Sequence, residues 1–307
     1  MKTFLKPLLI ITCILLVSFV QSSISTAQES NLDDLPISAL DMQSFNVISK
    51  ITLDSDGKDS GHSAYDLIRE FGGPRSIESP DLFEGNHRDV IHITEDSDEI
   101  IGDHFVFLSH RDIDRDRGKM HITDRQRNEI KTYDRSIDAL KGFENETLVY
   151  QWKFKINEDM EVSKGFSHFF QLKAKGGNDK MPIITITGSE RGRSDGIEVR
   201  HNSGKTDKGI LQRTAWEAVT GEWIDVYCRV TFADSASIRL IAKRISDGKV
   251  IFDIDQSNLD IWRGTNAKHF VRPKWGIYRS LRNSENLRAE EENVRFANFS
   301  VSKVVPK

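Results

Sequence analysis

The sequence predicts an all-β fold, a jelly roll built as an antiparallel β-sandwich with one concave face. About twelve short segments alternate polar and apolar residues, or run briefly apolar between turn residues, as strands do. Residues 246–249 give a strong hairpin signal between two of these segments. Many strands at short spacing with almost no helix favour two packed sheets, whose concave face can hold a long sugar chain. The predicted strands cover residues 90–94, 104–109, 129–133, 147–156, 166–175, 182–187, 196–201, 223–232, 237–244, 249–254, 274–279 and 294–301.

The first residues predict export from the cell. Lys2 and Lys6 precede the apolar run 8–20, and small residues follow it, so residues 1–27 are interpreted as a signal peptide that is cleaved near Ala27. The apolar run is too short to span a bilayer comfortably, and no membrane anchor is expected. The mature protein is therefore predicted to be secreted, to the extracellular or periplasmic space.

Charge and cysteine content narrow the class of protein. Removing Lys2 and Lys6 with the signal peptide lowers 43 basic residues to 41 against 47 acidic ones, so the net charge moves from -4 to -6. This balance argues against a nucleic-acid binder. Cys228 is the one cysteine left, so no internal disulfide is expected and stability must come from a core. Residues 28–307 are long enough for a single domain, which we expect to be monomeric.

The N-terminal part of the mature chain is predicted to be an irregular or helical lead-in, about residues 28–85. Its first half is polar and acidic. Residues 63–71 begin with a serine, space their apolar residues by three to four and precede a Gly-Gly-Pro stop, so they are the best helix candidate. We interpret this helix as a surface helix or plug against a sheet.

The strand predicted at residues 166–175 carries a candidate anion site. Alternation places Gln171 and Lys173 on one face, where their amide and ammonium donors would lie about 7 Å apart, a span that a sugar carboxylate can bridge. The same alternation places His168 with Phe170 on the packed face, so His168 is interpreted as a core residue.

A later strand offers a tyrosine. Trp275 suits the core, which leaves Lys274, Gly276 and Tyr278 on the opposite face. Gly276 removes a side chain where another group could approach closely. A nearby ammonium favours the ionised phenol and so makes the tyrosine easier to use as a base.

Two further strands carry polar faces. Arg127 and Glu129 share one face of a strand, and guanidinium is the group best shaped to bind carboxylate or sulfate. Glu198 and Arg200 form another polar face, with His201 at its end. Each run alone is typical of a solvated surface, but together they predict cations that converge on one side of the sandwich.

This combination predicts chain cleavage by β-elimination of a uronic acid. Donors on the carboxylate, here Gln171, Lys173 and Arg127, would stabilise the enolate-like state formed as the C5 proton leaves. Tyr278 would take that proton and protonate the C4 oxygen. The residues predicted to bind the rest of the anionic polysaccharide are Arg127, Arg200, His201, Lys274 and Arg279.

The segments 124–134, 171–173 and 272–279 resemble those of the jelly-roll polysaccharide lyases, over roughly residues 85–303. The likeness is closest to polysaccharide lyase family 28, the ulvan lyases, with heparin lyase I-type and glucuronan lyases as relatives. The resemblance implies that Gln171 and Lys173 neutralise the uronate and that Tyr278 is base and acid. Alginate lyases of similar fold usually have a histidine where Lys173 stands, which counts against alginate and leaves the choice among the other uronate polymers open. The expected substrate is an acidic, sulfated uronate polysaccharide, with ulvan as the first guess.

No metal or other cofactor is predicted. Residues 112–118 carry acids at alternate positions, but the glycine comes one place late for a calcium loop and arginines interleave, so we interpret them as a solvated, arginine-paired loop. No cysteine or histidine cluster has zinc spacing.

Two alternatives to a lyase remain. The first is a non-catalytic carbohydrate-binding jelly roll, which would offer a flat row of exposed aromatic side chains. The second is a hydrolase with two carboxylates across the cleft, for which Glu129 and Glu198 are the candidates.

Overall fold

Fifteen strands form two antiparallel sheets in the computed structural model, which describes residues 37–192, 194–202, 204 and 209–307. The predicted jelly-roll sandwich is thereby confirmed, whereas the predicted signal peptide lies outside the described residues. The helices are α1 (Ile37–Met42) and α2 (Ala64–Gly72). The strands are β1 (Phe45–Leu53), β2 (Ile77–Glu78), β3 (Ile93–Asp98), β4 (Gly102–Ser109), β5 (Arg125–Lys131), β6 (Thr147–Ile156), β7 (Ser167–Lys175), β8 (Ile184–Arg191), β9 (Ser194–His201), β10 (Gly209–Ala215), β11 (Trp223–Thr231), β12 (Ala236–Arg244), β13 (Val250–Leu259), β14 (Phe270–Ser280) and β15 (Glu292–Pro306).

The two sheets pack their apolar faces against each other. The first sheet has the order β13-β12-β11-β6-β15-β4-β3, with β1 also paired to β15, and the second has the order β10-β9-β8-β7-β14-β5-β2. Aromatic residues of both sheets meet between them: the Trp152 ring on β6 lies 4.4 Å from Phe170 on β7 and 6.1 Å from Trp275 on β14, centroid to centroid. Because Trp275 points inward, alternate residues of β14 point outward, away from the core.

Helix α2 confirms the helix predicted at residues 63–71. Ser63 caps its N-terminus, and the Asp66 side chain accepts a hydrogen bond from the Ser63 backbone in return, which satisfies two backbone donors that a helix start leaves unpaired. Gly73 ends it with a positive φ of 96°. The apolar side of the helix, including Ile68, is buried in the core.

The lead-in is more ordered than the sequence indicates. Strand β1 runs antiparallel along β15, from Phe45 opposite Pro306 to Leu53 opposite Phe299. Its burial alternates from Ser49 to Leu53 but not before, since two consecutive apolar residues, Val47 and Ile48, are both exposed. Backbone hydrogen bonds to β15 satisfy the peptide groups of this strand, and that tertiary contact stabilises β1 although its apolar pattern is interrupted at Ile48. Strands β2 and β10 were also missed.

No helix in the described part of the chain is both long and apolar enough to cross a membrane. Cys228, on β11, is a buried thiol.

Candidate active site

The pairing register of β7, β14 and β5 brings several predicted site residues together on the outer face of the second sheet. Tyr278 on β14 lies opposite Arg127 on β5 and opposite His168 on β7. Three positions after His168 and on the same outward side of β7, Gln171 lies opposite Lys274. Three strands that are distant in sequence therefore contribute side chains to one patch.

Two guanidinium groups contact Tyr278. The Arg125 Nη1 donates to the Tyr278 hydroxyl oxygen at 3.1 Å, and the Arg127 Cζ lies 3.6 Å from the centre of the phenol ring. Asp124 holds Arg125 in place through two hydrogen bonds of 2.7 and 2.9 Å. Cations fixed in these positions stabilise negative charge that develops on the phenol oxygen. Arg125 was not among the predicted site residues, although it starts the strand that carries Arg127.

His168 faces outward, into the groove that two adjoining pockets form on the outer face of the second sheet. Its prediction as a core residue is wrong. Pairing with β8 skips a position between His168 and Phe170, so the extra residue Phe169 forms a β-bulge. Phe169 and Phe170 both enter the core, which reverses the alternation before the bulge. The His168 ring stacks on Phe166 at 4.6 Å and lies 5.9 Å from the Tyr278 ring, centroid to centroid.

The surroundings of His168 keep its imidazole neutral. Burial holds its pKa well below the usual range, and the nearby charges of Arg200 and Arg127 act in the same direction. Its Nδ1 has no hydrogen-bond partner among the described residues. A neutral imidazole with an open nitrogen can accept a proton, so His168 is a second candidate base beside Tyr278.

Gln171 and Lys173 face the groove as predicted, but both already have partners. The Gln171 amide nitrogen donates to Glu129. The Lys173 Nζ donates to the backbone carbonyls of Asp179 and Lys180, at 2.7 and 3.2 Å. Burial, reinforced by the charge of Lys274, lowers the pKa of Lys173 to about 8.

Lys274 does not reach the substrate surface, contrary to the prediction. Its side chain is 2% exposed, and its Nζ donates to the buried carboxylates of Glu78, at 2.7 Å, and Glu129. Arg127 bonds to the same Glu129 and, through Nε at 2.8 Å, to Asp116. Lys274 therefore belongs to a layer of buried ion pairs beneath the groove. There it binds Glu129, the carboxylate to which Arg127 and Gln171 also donate.

Two other predicted binding residues are buried. Arg279 follows Tyr278 on the strand, so it faces the interior, where it is fully buried and paired with Glu292 of β15. His201 is also fully buried, and its Nε2 lies 2.9 Å from the Asp260 carbonyl oxygen. The structure does not support direct substrate contact for Arg279, whereas His201 borders the larger of the two pockets described below, so its role in binding stays a prediction.

Arg200 lies on the outer face, farther along the groove. Its Nε donates to the buried Glu198 at 2.6 Å, and Arg191 and Arg213 bind the same carboxylate. Three guanidinium groups around one carboxylate leave two positive charges at this end of the groove.

Two adjoining pockets, of about 140 and 260 Å³, form this groove. The smaller contains Tyr278, Gln171 and Lys173, and the larger contains Arg191 and Arg200. His168 and the segment 181–182 line both, so the two pockets are continuous. None of the described residues that line them is an aspartate or glutamate.

Comparison with known proteins identifies the class. Residues 93–299 match the family described as polysaccharide lyase, and the chain belongs to that family. This protein is accordingly a polysaccharide lyase with the jelly-roll fold. No curated protein sequence matches it significantly.

Solved structures share the fold at low sequence identity. A variant of the alginate lyase Aly36B in complex with an alginate trisaccharide is 8% identical, with a TM-score of 0.54 over 85% of this chain and 100% of that one. The marine alginate lyase from Aplysia kurodai is 9% identical, with a TM-score of 0.51 over 85% and 100%. The endo-β-1,4-glucuronan lyase from the fungus Trichoderma reesei is 13% identical, with a TM-score of 0.45 over 74% and 93%. At these identities the likeness concerns the fold alone.

Proposed function

We propose that this lyase cuts a uronate-containing acidic polysaccharide by β-elimination, in the groove on the outer face of the second sheet. The observation that carries the proposal is a tyrosine hydroxyl bonded to Arg125 in a pocket that also contains Gln171 and Lys173. The reaction removes the C5 proton and breaks the C4–O bond, which leaves a 4,5 double bond on the new non-reducing end and a protonated leaving oxygen. Water is not consumed.

The carboxylate of the bound uronate would lie between Gln171 and Lys173. As the C5 proton leaves, negative charge moves onto this carboxylate, and each fixed donor that meets it contributes about 3 kcal/mol to lowering the barrier. Lys173 supplies a charged donor from the groove wall. Gln171 is held from below by Glu129, which fixes the orientation of its amide.

Tyr278 and His168 divide the proton transfers according to the sugar. When the C5 proton and the C4 oxygen lie on the same side of the ring, Tyr278 can serve both in turn. When they lie on opposite sides, as in the C5 epimer, two groups are needed, and His168 is the neutral base beside the tyrosine. The site is therefore suited to either stereochemistry, with different dependence on His168.

The two alternatives to a lyase fit the groove less well. A hydrolase would use Glu129 and Glu198, but both are buried, and each is bound by several side-chain donors from Arg, Lys or Gln. A binding module would expose flat aromatic side chains, whereas the large apolar side chains exposed in the described part of the chain are all aliphatic.

We favour a sulfated polymer as the substrate, and ulvan is the first to test. The resemblance of the sequence to polysaccharide lyase family 28, the ulvan lyases, supports this choice. Arg191 and Arg200 line the larger pocket next to the catalytic one. These two guanidinium groups would form a second anion site in the adjoining pocket, suited to sulfate or a second carboxylate. Glucuronan, alginate and heparin-like chains are the other candidates, and the signal-like N-terminus supports secretion to meet such polymers outside the cell.

The test is the ultraviolet absorbance of the 4,5-unsaturated uronate, with ulvan, glucuronan, heparin and alginate offered in turn. We expect a rise with at least one polymer and none with the Tyr278→Phe variant, which keeps the ring but loses the hydroxyl. Melting curves of both proteins establish that they are folded. Folded wild-type protein that is silent on all four polymers would contradict the proposal, as would a Tyr278→Phe variant that cuts at the wild-type rate.

A further inference from the structure

Three histidines and one aspartate converge where the strands β3 and β4 meet the loop that leads to β5. His87, His92, His110 and Asp114 each contribute a nitrogen or oxygen to a group of four atoms that all lie within 4.8 Å of one another. The three imidazole centroids are 4.7 to 5.3 Å apart, and the ring planes are nearly perpendicular in every pair, at 81 to 84°. The rings are thus arranged around a common point, with nitrogens directed towards Asp114.

The strand register produces this arrangement. His92 immediately precedes β3, and its carbonyl accepts a hydrogen bond from the Leu108 backbone near the end of β4. His110 follows that end directly, and Asp114 comes one turn of the loop later. The β3–β4 pairing therefore brings residues that are 18 positions apart in sequence, 92 and 110, side by side.

The outward nitrogens of two rings already have acceptors. His92 Nδ1 lies 2.8 Å from the Val90 carbonyl oxygen, and His110 Nε2 lies 2.9 Å from a carboxylate oxygen of Glu291. A carbonyl or carboxylate oxygen only accepts, so these nitrogens carry the hydrogen. In a neutral ring the opposite nitrogen, which faces Asp114, then presents a lone pair to a carboxylate. Two lone pairs aimed at a negative group repel unless each ring carries a second proton, which would make these contacts ion pairs with Asp114, or unless a metal cation lies between them.

Asp114 is held as a ligating carboxylate is held in metal sites. Its Oδ2 accepts the His110 backbone N–H at 2.7 Å, which leaves Oδ1 directed at His87 Nδ1 and His92 Nε2, at 2.9 and 3.0 Å. Bonded partners behind the rings and behind the carboxylate are the usual second layer of such sites, because they fix the orientation of each ligand.

Ligand type and spacing select a zinc-like ion. A tetrahedral site with bonds of about 2.0 to 2.1 Å has ligand atoms about 3.4 Å apart. The two distances from Asp114 Oδ1 are a few tenths of an ångström shorter than this, whereas His110 Nδ1 lies 3.5 Å from Asp114 Oδ2 and the four atoms are at most 4.8 Å apart. Rotation of the side chains would therefore be needed to bring all four atoms around one ion. Nitrogen-rich ligands suit zinc rather than calcium or magnesium, which take oxygen. Four protein ligands are also the number found in structural rather than catalytic zinc sites.

We propose that His87, His92, His110 and Asp114 bind one zinc ion that pins the loop between β4 and β5. Residues 112–118 were interpreted as a solvated, arginine-paired loop, which is wrong at Asp114 because that side chain is buried. The histidines of this cluster come from separate segments of the chain, so no zinc spacing is visible in the sequence. The loop continues to Asp116, which holds Arg127 beneath Tyr278. The ion would accordingly stabilise one support of the groove without touching the substrate.

The experiment is zinc stoichiometry in the whole mature protein. Protein is stripped with a chelator, reloaded with zinc sulfate, desalted and analysed by mass spectrometry of the metal, and its melting temperature is recorded with and without zinc. We expect one zinc per chain in the wild type and an increase in melting temperature on loading, because a ligand that binds only the folded state stabilises it. His92→Ala should lose at least about nine-tenths of the bound zinc, and Glu291→Ala should weaken affinity by about 10- to 100-fold.

His121 provides the matched control, since it lies on the same loop, is exposed and is outside the cluster. His121→Ala should keep one zinc per chain. Because His92 is fully buried and its variant can fail to fold, His87→Ala is the second variant; His87 is 11% exposed. The proposal is overturned if the folded wild type retains no zinc, or if folded His87→Ala retains as much as the wild type. Neither result depends on lyase activity.

Discussion

Lys173 should cause the lyase to lose activity at alkaline pH, and arginine at the same position should remove that loss. Burial of the amine and the positive charge of Lys274 lower the pKa of Lys173 to about 8, where a free lysine side chain has about 10.5. The charged form is the one that can neutralise a uronate carboxylate. Since the pKa is lowered, the ammonium loses its proton as the pH rises through about 8, and the activity should fall in that direction.

The magnitude follows from the pKa. At pH 9 only about one Lys173 in ten would still be charged in the free enzyme. kcat/KM reports the free enzyme, so it should be about tenfold lower at pH 9 than on its plateau near pH 7. In the complex the bound carboxylate favours the ammonium, so the corresponding fall in kcat should occur at higher pH.

The assay is the initial rate of absorbance increase at low polymer concentration, measured between about pH 6 and pH 10. The matched variant is Lys173→Arg, because guanidinium stays charged throughout this range. Its plateau can be lower, since guanidinium has a different shape, but the decline near pH 8 should be absent. If Lys173→Arg keeps the decline at the same pH, the titrating group is another one, and the role assigned to Lys173 is refuted.

Three further substitutions test other parts of the structure. His168→Ala should lower kcat/KM by about 10²- to 10⁴-fold on the sugar epimer that needs a second proton-transfer group, measured by rate assays on defined polymers. A loss of less than about threefold on every polymer would mean that the His168 ring only packs against its neighbours. Arg279→Met leaves Glu292 buried without its cation and should cost about 3 to 5 kcal/mol of unfolding free energy in urea melts, while the rate per folded molecule stays unchanged; a rate loss without destabilisation would return Arg279 to the site. Gly276→Ala should destabilise by at least about 1 to 3 kcal/mol, because φ is 139° there and a Cβ would lie 2.2 Å from the Asn128 carbonyl oxygen; wild-type melting would disprove this close approach.

Strand alternation predicted part of the groove correctly. It placed Arg127 and Tyr278 on polar faces, and the two side chains are in contact. It also placed Gln171 and Lys173 on one face, and both line the smaller pocket. The same alternation predicts that Arg279, as the residue next to Tyr278, points inward. Arg279 was wrongly expected to bind the polysaccharide because of its charge, and the strand pattern itself did not support that expectation.

Bulges explain what alternation could not predict. An extra residue in β7 reverses the faces on either side of it, and nothing in the run from Phe166 to Phe170 marks which residue is the extra one. Gly276 marks the register shift between Trp275 and Tyr278, but from the sequence it was interpreted as a place where another group could approach the strand closely. The group that approaches Gly276 closely is the backbone of β5, not a sugar, since a side chain there would meet the Asn128 carbonyl.

The buried ion pairs explain how an acidic protein can have a groove for a polyanion. Beneath the groove, four cations meet three carboxylates: Arg117, Arg127, Lys131 and Lys274 against Glu78, Glu129 and Asp116. This layer therefore carries one excess positive charge, and Lys173 adds another on the groove wall. Because water is largely excluded from the layer, its field is screened less than that of the exposed acids that make the net charge negative. Local charge at the groove can thus oppose the net charge of -4 that the whole sequence carries, provided that no member of the layer is removed. The sequence could not predict this balance, because Glu78 lies in the lead-in, about fifty residues from Lys131 and about two hundred from Lys274.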